Sequence, residues 1–143
     1  MEAISPYLVA GAAAWLAAQS LKYLYISLKT RHAGNLRQLY LSGSMPSAHS
    51  ATVVALLVVI GLTDGIHSGL FGLAGLFAAV VMYDAVMVRR SSGEQGKALL
   101  SLLAEQKSTV ARPRVALGHT PIEVVAGACV GAIVGLVVFL ATS

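Results

Sequence analysis

The sequence predicts an all-α bundle of about four membrane-spanning helices with an added amphipathic interfacial helix. Three observations predict it. The chain is 57% hydrophobic and only 11% charged, against about 25% charged for soluble domains. Its mean hydropathy is +0.77. Most of the charged residues lie in stretches between four apolar runs. With 143 residues, the whole of 1–143 reads as a single domain.

The first run, residues 6–26, is Ala-rich and carries Gln19 and Lys22 near its end. About 20 apolar residues cross a bilayer. No basic stretch precedes it, so it is expected to be a retained helix and not a cleaved leader. The second run starts at Gly43-Ser44-Met45-Pro46-Ser47-Ala48-His49-Ser50 and ends near Leu62. It is short for a span, so its first turn is expected in a protein-lined cavity. Pro46 suits the first helical position, with Ser44 or Met45 as the cap and Ser44 the better residue for it. The first open N–H groups would then be those of Ser47, Ala48 and His49, which makes an anion site beside a titratable ring. A simple Ser/Pro-capped membrane helix explains the same residues. Thr63-Asp64-Gly65 is a turn.

The third run covers residues 67–88, with Gly69, Gly72 and Gly75. The fourth covers 121–141, with Gly127, Gly131 and Gly135 at four-residue spacing. Small residues at such spacing let helix backbones approach, within the chain or in a homo-oligomer formed through the glycine-rich faces. Residues 92–107 read as an amphipathic helix. Ser92 and Gln95 fit a capping box at its start.

The basic residues fall in segments 27–45 and 89–120, which four spans place on one side with Lys22. All ten Lys and Arg residues then lie there. The positive-inside rule makes that side cytoplasmic in a cell or plasma membrane. The basic excess does not indicate nucleic acid, because most of it lies in loops between apolar runs. The lone Cys129 allows no disulfide within the chain and supports no cysteine metal site.

Four polar clusters meet on the basic side. They are Gln19 with Lys22; Ser47 with His49; Asp84 with Arg89 and Arg90; and His119 with Glu123. Ionisable groups near membrane depth mark function. Lys and Arg suit a phosphoryl group, and two histidines suit a nucleophile and a general acid. Each has a structural alternative. Lys22 can snorkel, Arg89-Arg90 can be a stop-transfer pair, and Thr120-Pro121-Ile122-Glu123 is a capping box in its own right. Neither Arg89 nor Arg90 is three or four residues from Asp84. Its partner is therefore expected on another segment, from Lys22, Arg37 or a histidine.

Pro46-Ser47-Ala48-His49, Tyr83-Asp84-Ala85 with Val88-Arg89-Arg90, and Gly118-His119-Thr120-Pro121-Ile122-Glu123-Val124 together resemble the divergent branch of the type-2 phosphatidic acid phosphatase family. The resemblance spans nearly the whole chain. It implies a helical bundle with its site at one end. It further implies metal-independent hydrolysis of a phosphomonoester or pyrophosphate, with a lipid phosphate as substrate and no cofactor. His119 would be the nucleophile that forms a phosphohistidine, oriented by Glu123, and His49 the general acid. Lys22, Ser47, Ala48, Arg89 and Arg90 would hold the phosphate, with Asp84 among the catalytic groups. The chain departs from the wider family in having Ala48 for Gly and Glu123 for Asp. Pro113 stands where the family places an Arg six residues before the nucleophile, so Arg89 would substitute from another segment. Two rivals stand beside this reading. One is a non-catalytic protein that holds an anionic lipid or acts as a scaffold. The other is a metal site built from His49, His119, Asp84 and Glu123.

Overall fold

In a computed structural model, the described residues are 5–30, 45–113, 115 and 118–143, and they contain helices and no strand. Arg37, Gly43 and Ser44, which figure in the sequence reading, lie outside them. Helix α1 is Pro6–Thr30, α2 is Ala48–Thr63 and α3 is Gly69–Tyr83. A π-helical turn, Asp84–Val88, leads from α3 directly into α4, Arg89–Glu105, and α5 is Pro121–Thr142.

The central element is α2. It packs against α1, α3 and α5, and α1 also meets α5. Small residues explain how closely these helices approach. A Cβ built on Gly127, Gly131 or Gly135 would strike the backbone of Ser47, Ala51 or Ala55 in turn. Four-residue ladders on α2 and α5 thus interlock backbone to backbone. The α5 glycine face is therefore consumed inside the chain. Gly69 and Gly72 of α3 face open space. On α1 the stripe Ala10, Ala14 and Ala18 is fully buried, and Lys22, one step further along the same stripe, is buried too.

Large apolar side chains point outward instead. Leu8, Leu16, Leu73, Phe77, Ile133 and Leu140 are all more than half exposed. A bundle that is small-sided within and apolar without is built for lipid, where packing and not the hydrophobic effect joins the helices. Among the described residues, two helical stretches are long and apolar enough to cross a membrane, the continuous Gly69–Glu105 and Pro121–Thr142. Helix α2 is apolar but has only 16 residues.

One end of the bundle is closed by Tyr7 Oη, which donates to Asp64 Oδ2 at 2.6 Å. Gly65 there has φ +85, a left-handed turn that favours glycine. Ser68 caps α3 by accepting from Phe71 N at 3.1 Å.

Two expectations are corrected here. Helix α2 is capped by Ser47, not Ser44, so Pro46 lies before the cap and not at the first helical position. Ser47 wins because its hydroxyl accepts from Ser50 N and is fully buried. The amphipathic helix does not begin afresh at Ser92. It continues from α3 through the π turn, so Ser92 has no chain end to cap, and Gln95 Nε2 donates to Ser91 Oγ at 3.3 Å.

Candidate active site

Four segments meet at the other end of the bundle, and backbone bonds join them there. Ser47 N, before α2, donates to Glu123 O at 3.0 Å, in the first turn of α5. His119 N donates at 3.0 Å to Ala85 O, within the π turn. A π turn breaks the regular i to i−4 ladder, and such bulges gather at functional sites. Gly118 makes the second bond reachable. A Cβ on it would collide with the backbone of Arg89 and Arg90, so only glycine lets the loop lie against the helix.

The centre is His119 with Glu123. Glu123 Oε2 accepts from Thr120 N at 2.9 Å and lies 3.2 Å from His119 Nδ1. Thr120 Oγ1 in return accepts from Glu123 N. The capping box and the histidine contact therefore coexist on one carboxylate oxygen. A carboxylate can only accept, so Nδ1 carries the proton and Nε2 keeps its lone pair. The side chains are 12% and 15% exposed, which leaves the ring a narrow access. Burial pushes the His119 pKa below the ordinary value of 6.5. The Glu123 hydrogen bond and charge oppose this, and Lys22 and Arg89 add to it.

The other sequence-predicted residues surround this pair. Lys22 is buried, and the Glu123 charge acts on it. Gln19, three residues earlier, has a buried Oε1 with no hydrogen-bond partner among the described residues. His49 is exposed, in the first turn of α2. It feels Arg89, His119, Asp84 and Lys22 electrostatically. The two histidines and the basic groups are thus brought to one place from four segments.

Three expectations change in detail. Ser47 offers no open backbone donor, because its N–H is taken by Glu123 O, and its fully buried hydroxyl accepts from Ser50 N and Ser50 Oγ. The Ala48 and His49 N–H groups remain in the first turn, where a helix has no acceptor of its own. Among the described residues, Asp84 pairs within its own helix and not with another segment. Its Oδ2 accepts from Arg89 Nε at 2.6 Å, because the π turn brings the residue five positions on over Asp84. Arg90 Nε donates to Glu94 Oε1 at 3.2 Å, a surface pair that turns it partly from the centre.

A cleft of about 290 Å³ opens beside His119, lined by Arg90, Glu94, Lys97, Gly118, Thr120 and Glu123. Glu94 and Lys97 were missed from sequence. They follow Arg90 at four and seven residues, one helical face, a spacing that is informative only once α4 is known to start before Ser92. Among the described residues, no three His, Cys, Asp or Glu side chains gather as a metal site.

Fold and site together define a helical membrane protein whose polar and ionisable groups collect at one end of an inside-out bundle. The chain belongs to the divergent PAP2 family, whose model matches residues 4–134. It is similar to the uncharacterized membrane protein YuiD of Bacillus subtilis (strain 168), with 36% identity over 111 residues, covering 67% of this chain and 70% of that protein. No solved structure matches it.

Proposed function

We propose that this protein is a membrane-embedded, metal-independent phosphatase that cleaves a phosphomonoester or pyrophosphate of a lipid through a phosphohistidine. The observation that carries this reading is the 3.2 Å contact of His119 Nδ1 with Glu123 Oε2, which leaves Nε2 as the nucleophile. Nε2 forms the bond to phosphorus while the bond from phosphorus to the leaving oxygen breaks. His49 gives that oxygen a proton. It then takes one from water, whose oxygen attacks the phosphohistidine and frees phosphate and His119. Glu123 balances the charge that His119 gains. Lys22, Arg89, Arg90 and the Ala48 and His49 N–H groups stabilise the phosphoryl oxygens. Asp84 acts through Arg89, as the group that holds its guanidinium.

The proposed arrangement in the membrane is four spans with the site on the cytoplasmic side of the cell membrane. The alternating directions of α1, α2, α3 and α5 and the basic residues around the site support it.

One observation favours a second reading, a non-catalytic protein that holds an anionic lipid headgroup. Arg89, the best substitute for the family arginine, already has its charge met by Asp84. A single experiment separates the two. Purified protein is given a panel of lipid phosphates and phosphate release is measured, with His119→Ala as control. Release that the control abolishes, vanadate blocks and EDTA leaves intact supports the enzyme. Binding without release, equal in the control, supports the holder. Release lost to EDTA and restored by a divalent metal would sink the metal-independent mechanism.

A further inference from the structure

A second cavity lies between α2 and α3, deeper in the bundle. It is a groove of about 260 Å³ lined wholly by apolar side chains, Leu56 and Ile60 of α2 and Leu70, Leu73, Ala74 and Phe77 of α3. Leu70, Leu73 and Phe77 are 45%, 64% and 53% exposed, so the groove opens on the outside of the bundle.

Its position relative to the polar site follows from helix periodicity. Leu56 and Ile60 are seven and eleven residues after His49, and these spacings bring them onto the helix face that carries His49. Phe77, Leu73 and Leu70 are seven, eleven and fourteen residues before Asp84, again one face. His49 and Asp84 are close enough for the carboxylate charge to act on the ring. The groove therefore lies directly below His49 and Asp84. At 1.5 Å per residue, Leu56 and Ile60 sit about 10 and 16 Å beneath His49.

We infer that this groove seats the hydrocarbon chain of the substrate, so that the substrate is a long-chain alkyl or prenyl phosphate or diphosphate. This rests on the phosphatase reading in one respect, that His49 protonates the leaving oxygen. That oxygen bears the chain, so the chain begins at His49, and the α2–α3 face directly below it keeps the chain on apolar surface. The α2–α3 seam supplies an apolar bed at the depth such a chain reaches. The occupant is the substrate's own chain, and a chain of an unrelated bilayer lipid is the competing outcome.

Two measurements test it on the full-length protein. In the first, an alkyl phosphate carries a photoreactive diazirine about 10 Å along its chain, level with Leu56. The label should fall on α2 and α3 peptides that hold Leu56 and Leu70–Phe77 residues, and excess butyl phosphate should suppress it. Label elsewhere, or label in the groove that butyl phosphate leaves unchanged, overturns the inference; the latter is what a bulk lipid chain gives. In the second, Leu73→Trp fills the groove. It should lower kcat/KM about tenfold or more for a long-chain alkyl phosphate and leave butyl phosphate hydrolysis unchanged. Equal effects on both substrates, or none on the long one, overturn it. Failure of the phosphatase reading is separate: wild-type protein would then hydrolyse neither substrate, and the labelling experiment still decides the groove.

Discussion

Glu123→Gln separates charge from shape at the centre of the site. Both hydrogen bonds made by the carboxylate end on Oε2, from Thr120 N at 2.9 Å and from His119 Nδ1 at 3.2 Å. A glutamine with its carbonyl oxygen in that place keeps both, and glutamine serves a capping box as glutamate does. Stability should therefore change by less than about 1 kcal/mol, the scale of a cap. Only the charge is lost. An imidazolium forming at His119 then has no counter-charge, and turnover should fall by about two or more orders of magnitude. The pH profile adds a sign. His119 attacks when neutral, so the acid limb of kcat/KM tracks its pKa, which burial holds below 6.5 and the Glu123 charge partly restores. Removing that charge should move the limb to still lower pH. The assay is phosphate release against pH, paired with thermal unfolding in detergent. Near-normal turnover with an unmoved limb would leave Glu123 as a helix cap and remove the argument for His119 as nucleophile.

Lys22→Met should shift the acid limb the opposite way, to higher pH, because the lysine charge pushes the His119 pKa down; a pH–rate profile reads this directly. Gly131→Leu should destabilise by at least about 1–3 kcal/mol, as overpacking does, since its Cβ would overlap the Ala51 backbone, whereas Gly72→Leu faces open space and should change little; unfolding in detergent compares the two. In a Cys129→Ala background, cysteines at Lys29 and Lys107 should resist an impermeant reagent outside intact cells and one at His67 should react. Labelling of the first two would put the site on the exterior.

Much of this architecture was legible from local pattern. Apolar run lengths give the helices to within a few residues, and Ser, Thr and Pro mark three of the helix starts. The gathering of Lys22, His49, Arg89 and His119 follows from alternating helix direction alone. What was not legible depends on contacts distant in sequence or on a backbone irregularity. The Ser47 N–H looked open because its acceptor, Glu123 O, is on another helix. The pairing of Asp84 with Arg89 looked unreachable because the five residues Asp-Ala-Val-Met-Val carry no proline or glycine to announce a π turn. The α5 glycines were ambiguous between internal and external packing. The ladder Ser47, Ala51, Ala55 that meets them is visible in the sequence, but its facing them is a tertiary fact.

The π turn has an effect that reaches beyond the five residues that form it. It holds one residue more than an α-helical turn would. An α-helix advances about 100° per residue, so everything after Val88 is offset by about that angle from the azimuth that α3 would dictate. That offset decides which side of α4 faces the His119 loop. Drawing the same residues into a uniform α-helix would leave the apolar span almost intact and swing Arg90, Glu94 and Lys97 about a quarter-turn away from the cleft, whereas deleting one residue together with the π turn would keep their azimuth. The membrane anchor and the chemistry are thus set by separate variables, helix length for one and helix azimuth for the other.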